Sequence, residues 1–146
     1  MPLTQKEADY LMQLDKKFVS DDPIIIGPFA FKITHELVSA DGRERFHVDL
    51  WHSSLRLKKY TYQNRARVII PLVRLDTGDT LEHTNPDGAH VRGSHIHLYR
   101  ESYDDKFAFS LSGYPFRNSD DMITTLMAFA EFCHIVNLPP VSGRLL

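Results

Sequence analysis

Residues 75–101 read LDTGDTLEHTNPDGAHVRGSHIHLYRE, from Leu75 to Glu101. The stretch carries His83, His90, His95 and His97, four of the chain's eight histidines. Its end alternates with a period of two, which predicts a β-strand from Ser94 to Glu101. On such a strand His95, His97, Tyr99 and Glu101 share one face, and Ile96, Leu98 and Arg100 share the other. Burying a titratable row costs free energy unless each group is paired, so the strand marks a candidate site. Asp76 to Gly93 reads as one long loop, with Asn85-Pro86-Asp87-Gly88 as its strongest turn.

Working outward, the same alternation recurs on both sides. Phe29 to Leu37 and Phe46 to Leu50 alternate around Asp41-Gly42, a hairpin signal. Leu55 to Tyr62, Val68 to Leu75 and Phe107 to Leu111 supply further strand candidates. Gln63-Asn64-Arg65 reads as a turn or bulge, and Pro71 argues for an edge strand or a bulge. At the N-terminus, Thr4-Gln5-Lys6-Glu7 has capping-box spacing, and Ala8, Leu11, Leu14 and Phe18 then recur at helical spacing. That predicts a helix from Gln5 to Val19, stopped by Asp21-Asp22-Pro23. Met122 to Cys133 presents an apolar helical face that Asn118 or Ser119 can cap, with Asp120 and Asp121 near its positive end and Asn137 to Pro140 closing it. The expected fold is a single α+β domain over residues 1–146. It is a mostly antiparallel sheet of about six strands flanked by an N-terminal and a C-terminal helix.

The composition narrows the class. The 146 residues are 42% hydrophobic and 25% charged, ordinary for one globular domain. A formal charge of -2 argues against nucleic-acid binding by net charge, although a local basic patch remains open. Cys133 is the only cysteine, so neither an internal disulfide nor a cysteine zinc cluster forms, in keeping with a cytoplasmic setting. No segment has the length of a membrane span, and the N-terminus lacks an apolar signal core.

The N-terminal LTQKEADYL helix, LVRLD (Leu72 to Asp76), H-x-NPDG (His83 to Gly88), HIHLYRE (His95 to Glu101) and Phe107-Ala108 together resemble a poorly characterised family of small bacterial and phage proteins, classed as a domain of unknown function. The resemblance spans most of the chain and implies that the His83-to-Glu101 block is a hallmark of the family. It implies no activity.

Two imidazoles on one strand face supply an acid and a base titrating near neutrality, the pair that metal-free RNA cleavage needs. Their Cβ atoms would stand about 7 Å apart, enough to bracket a phosphate. On this reading the protein is a toxin-like, metal-independent endoribonuclease. His95 and His97 are catalytic and His83 assists. Arg92, Arg100, Tyr99 and Asn85 hold substrate, and neither metal nor cofactor takes part. A cupin-like metal site is an alternative, because His95-x-His97-x-x-x-Glu101 places two imidazoles and a carboxylate on one face. It needs a further ligand, which only His83 or His90 in the preceding loop is placed to give. The third alternative is a non-catalytic binding module of phage or mobile-element origin, counter-defence or antitoxin-like, with a cognate protein rather than RNA as partner.

Overall fold

A computed structural model describes residues 2–27, 29–52, 59–117 and 121–143. Thr4 starts the first helix, α1 (Gln5–Gln13), through a complete capping box: its hydroxyl accepts from the Glu7 amide, and the Glu7 carboxylate accepts from the Thr4 amide. The helix is shorter than its periodicity predicts. Leu14 is extended, and Lys16–Phe18 forms strand β1 against Ser39 to Leu37. Strand pairing and the burial of Phe18 outweigh the residual helical spacing there.

The remaining elements are β2 (Ile24–Ile26), β3 (Phe31–Ser39), β4 (Arg45–His52), β5 (Tyr60–Ala66), β6 (Ile70–Thr77), β7 (Glu82–Thr84), β8 (His90–Arg92), β9 (His95–Leu98), β10 (Ala108–Ser110), α2 (Met122–Phe132) and β11 (Val141–Gly143). Seven strands form one antiparallel sheet in the order β1-β3-β4-β5-β6-β9-β10. The fold is therefore α+β with a terminal helix at each end of the chain order. Two small additions were not anticipated: β11 pairs in parallel with β2, and β7 pairs with β8 as a separate hairpin.

Local chemistry explains the departures. Gln63, Asn64 and Arg65 lie inside β5, with a register shift between Asn64 and Arg65 opposite Pro71. Pro71 thus sits beside a bulge in an interior strand. The long loop also contains order. Asp76 and Thr77 complete β6, and the Asn85-to-Gly88 turn closes the β7–β8 hairpin, with Gly88 at φ 89°. Residues 55–58 of the Leu55-to-Tyr62 candidate lie outside the described residues, as do Asn118 and Ser119. Asp121 caps α2 by accepting from the Thr124 amide. The helix ends early, at Cys133. His134 takes a left-handed conformation (φ 59°), and the Ile135 and His134 amides return to Ala130 and Glu131. Among the described residues no helix is long and apolar enough to cross a membrane.

The sheet has two unlike faces. Leu37, Phe46, Val48, Leu50, Tyr62, Leu75 and Ile96 are buried in one core with Leu11 of α1 and Leu126 and Phe129 of α2. The opposite face is polar. Two rows run across it in register, Thr34–Asp49–Gln63–Arg74–His97 and Trp51–Thr61–Asp76–His95. Asp49 is the hub of one row, accepting from Thr34 Oγ1 at 2.7 Å, Gln63 Nε2 at 2.9 Å and Arg65 Nε at 2.6 Å. Burial opposes its ionisation, but the hydrogen bonds from Arg65, Gln63 and Thr34 outweigh this and hold its carboxyl below the usual range.

One buried cation joins both helices to the sheet edge. The Lys16 ammonium donates to Met12 O and Leu14 O at 3.0 Å each, at the end of α1, and to Cys133 O at 2.8 Å, at the end of α2. These are the negative ends of both helix dipoles. Burial pushes the lysine down to about 8, which leaves it charged at neutral pH.

Two outcomes are expected. Lys16→Met removes the ammonium donor from one buried and two partly buried carbonyls and should lower unfolding free energy by roughly 2–4 kcal/mol. An unchanged urea midpoint would mean that the carbonyls find other donors. The Asp49 contribution is fully present above its unfolded value of about 4 and is lost as pH falls through its lower folded value. Urea unfolding between pH 6 and pH 3 should therefore show a shallower acid loss in Asp49→Asn than in the natural chain, and parallel curves would contradict this.

Candidate metal centre

β6 and β9 are neighbours although 17 residues of chain, 78–94, separate them. Their antiparallel register sets Asp76 opposite His95 and Arg74 opposite His97. Strand alternation turns all four side chains onto the polar face. The two His Nε2 atoms each lie 3.4 Å from Asp76 Oδ2. All three ligand atoms fall within 4.8 Å of one another, and all three residues are buried. The other oxygen of Asp76 accepts from Thr61 Oγ1 at 2.7 Å.

The backbone orients both rings. His95 Nδ1 lies 2.8 Å from Gly93 O, and His97 Nδ1 lies 2.8 Å from Asp105 O. A carbonyl only accepts, so each Nδ1 carries a proton, and the Nε2 atom of each ring is the one left facing Asp76. Two imidazole nitrogens beside one carboxylate oxygen form a group that a proton or a cation can bridge. Arg74 lies against it. Its Nη2 lies 3.0 Å from His97 Nε2, its Nε 3.4 Å from Asp76 Oδ2, and its Nη1 is anchored on Asp105 at 2.9 Å. Burial works against ionisation of Asp76, but hydrogen bonding by His95 and His97, the Arg74 charge and Thr61 outweigh it. The carboxyl is held far below the usual range.

His83 arrives from the β7–β8 hairpin. Its ring centroid is 4.7 Å from that of His97 and 5.8 Å from that of His95, and its Nε2 donates to Lys106 O at 2.8 Å. Asn85 holds the hairpin down. Its amide donates to Ala108 O at 3.0 Å and accepts from Ala108 N at 2.8 Å, standing in for a neighbouring strand on the β10 edge.

The structure therefore brings His83, His95 and His97 together and places the other candidates elsewhere. Tyr99 is buried at the start of α1, donating to Leu3 O at 2.6 Å. Glu101, the sequence-derived carboxylate ligand, instead accepts from the Gln5 amide at 2.7 Å. Both depart because β9 ends at Leu98 and the chain turns through left-handed Ser102 and Asp104, which breaks the alternation. Asn85 is a clamp in the fold, and with Arg92 and Arg100 it lines a separate groove. His90 meets Thr84 Oγ1 at 3.0 Å and lies outside the histidine cluster. Sequence reasoning offered Asp76 for a cation-binding loop and Arg74 for phosphate but did not pair either with the histidines, and it missed Thr61 and Asp105. The signal was the polar alternation of Arg74 and Asp76 within LVRLD, but only strand register says which strand they face.

The model of a family of unknown function (DUF6978) matches residues 3–135. The chain belongs to this family. Searches among curated proteins and among solved structures give no match. All the blocks that carry the resemblance fall within the matched residues, and three of them meet at the site. LVRLD brings Arg74 and Asp76, H-x-NPDG brings His83 and Asn85, and HIHLYRE brings His95 and His97. The family description assigns no activity, so the chemistry of this centre rests on its geometry.

Asn85→Ala should release the hairpin from β10. Amide exchange across Glu82 to Arg92 is expected to accelerate well before that of β4 and β5 changes. Uniform acceleration through the whole sheet would show that Asn85 supports the global fold instead.

Proposed function

We propose that the protein binds one divalent first-row transition-metal ion, with Asp76 Oδ2, His95 Nε2 and His97 Nε2 as ligands. The observation that carries this is the convergence of both Nε2 atoms on one carboxylate oxygen at 3.4 Å. A tetrahedral ion with bonds of about 2.0–2.1 Å spaces its ligand atoms about 3.4 Å apart, which matches both Nε2–Oδ2 distances and suits zinc. The Nδ1–H bonds to Gly93 O and Asp105 O are outer contacts of the kind that orient metal-bound imidazoles. Three protein ligands would leave room for a water or substrate oxygen, toward which the ion would supply Lewis-acid chemistry. His83 stands beside the cluster, in reach of a group held there. Arg74 lies 3.0 Å from His97 Nε2 and would have to give up that contact for the ion to be held there, keeping its anchor on Asp105.

The metal-independent ribonuclease keeps less support. Both rings are buried, both Nδ1 atoms are committed to carbonyls, and both Nε2 atoms face one carboxylate rather than opposite sides of a phosphate. Its direct test is incubation with total RNA in chelator beside His95→Ala and His97→Ala.

For the metal reading, elemental analysis of the purified protein should find about one equivalent of metal, lost in Asp76→Asn and His97→Ala. Added zinc at about 100 times its dissociation constant should stabilise the apoprotein by about 2.7 kcal/mol. Arg74→Met should bind it more tightly. Apoprotein whose melting temperature ignores zinc, cobalt and nickel alike would end the proposal.

A further inference from the structure

Arg92 and Arg100 meet away from the histidine cluster. They line a groove of about 600 Å³ between the β7–β8 hairpin and β10, together with His90, Phe109, Ser110 and Tyr114. Arg100 is built into position. Its guanidinium carbon lies 4.4 Å from the centroid of Phe107 and 5.7 Å from that of Tyr103. The Arg100 amide donates to Asp104 O at 2.9 Å, and the Tyr103 amide donates to Arg100 O at 2.9 Å. Ser102 (φ 72°) and Asp104 (φ 52°) are both left-handed within this turn, a conformation that non-glycine residues hold only when their surroundings impose it. Among the described residues no carboxylate reaches ion-pairing distance of Arg100. The turn and the rings thus present an oriented, exposed and unneutralised guanidinium.

Arg92 faces the same groove with its side chain 80% exposed, and its contact with Glu82 is long, at 3.8 Å. Asp87, the acidic lining residue, is engaged by its own turn, accepting from the Ala89 amide at 2.9 Å. Phe109 is 40% exposed and offers a ring face beside these cations. Planar cations that fork onto phosphate oxygens, next to an aromatic ring that accepts a base, form the chemistry that recognises nucleoside phosphates.

We propose that this groove binds nucleoside phosphates, with Arg100 and Arg92 on the phosphate and Phe109 under the base. The ligand comes either as a free mononucleotide or along a single RNA strand. The site is independent of the metal ion, so it is tested in chelator. Fluorescence anisotropy with a labelled single-stranded RNA oligonucleotide, and calorimetry with adenosine monophosphate, separate the two sources. Binding of the oligonucleotide alone assigns a strand, and binding of both with mutual displacement assigns the single nucleotide as the recognised unit.

Arg100→Gln and Phe109→Ala should each weaken binding roughly tenfold. Arg92→Gln should lower the slope of log affinity against log salt by about 0.7 on the oligonucleotide. Arg45→Gln is the control, since its partner Glu36 lies on β3 at 2.7 Å, remote from the groove. Because Arg92 is so exposed, its variant remains informative even if Arg100→Gln fails to fold. Three results would overturn the proposal: no binding of either probe at millimolar concentration, natural affinity in the Arg92 and Phe109 variants, or an equal loss in Arg45→Gln.

Discussion

The pairing of β6 with β9 is the constraint on which the polar centre depends. Leu75 and Ile96 lie directly opposite each other, and both are fully buried. Their burial locks the register, and the reverse face inherits it: Asp76 meets His95 and Arg74 meets His97. A slip of β9 by one residue would turn the histidines into the apolar core and Ile96 into the polar layer. The hydrophobic face, which takes no part in the chemistry, thereby sets ångström-scale distances among charged groups. The Tyr99 amide, donating to Leu72 O at 2.9 Å, extends the same pairing beyond the end of β9.

Lys16 plays the corresponding part on the other side of the sheet. An apolar side chain there would fill the volume but leave the ends of two helices unsatisfied. The ammonium offers three donors to three carbonyls, and it also lies 4.9 Å from the centroid of Phe46. Its backbone takes part as well, since Lys16 N donates to His134 O and Val136 N donates to Lys16 O, at 2.8 Å each. One residue thus joins α1, α2 and the first strand of the sheet. Burial pushes the neighbouring Cys133 thiol up to about 12, with Lys16 pulling the other way, so the single cysteine is inert packing rather than a nucleophile.

The β7–β8 hairpin separates two regions of unlike character. His83 and Val91 form one cross-strand pair, flanked by Glu82 with Arg92 and Thr84 with His90. Alternation sends His83 to the histidine cluster and gives His90 and Arg92 to the groove. A cation-hungry carboxylate centre lies on one side, and cations with few anionic partners lie on the other. Asn85, the residue that anchors the hairpin to β10, governs the separation of the two.

The sequence alone determined the fold class, the capped first helix, the Asp41-Gly42 hairpin and the shared face of His95 and His97. Each is a local property, set by a period of two or by the conformational demands of a turn. It also contained the blocks that place the chain in its family. The premature end of α1, the strand nature of Lys16 to Phe18 and the exclusion of Tyr99 and Glu101 from the histidine face came from long-range pairing, which local periodicity does not encode. Asp76 could be read only as an acid at the edge of a loop until β6 was laid beside β9. The carboxylate of the centre was decided by tertiary structure because the partner of a strand residue is fixed by register between distant segments, and register is set by the summed burial of the opposite face.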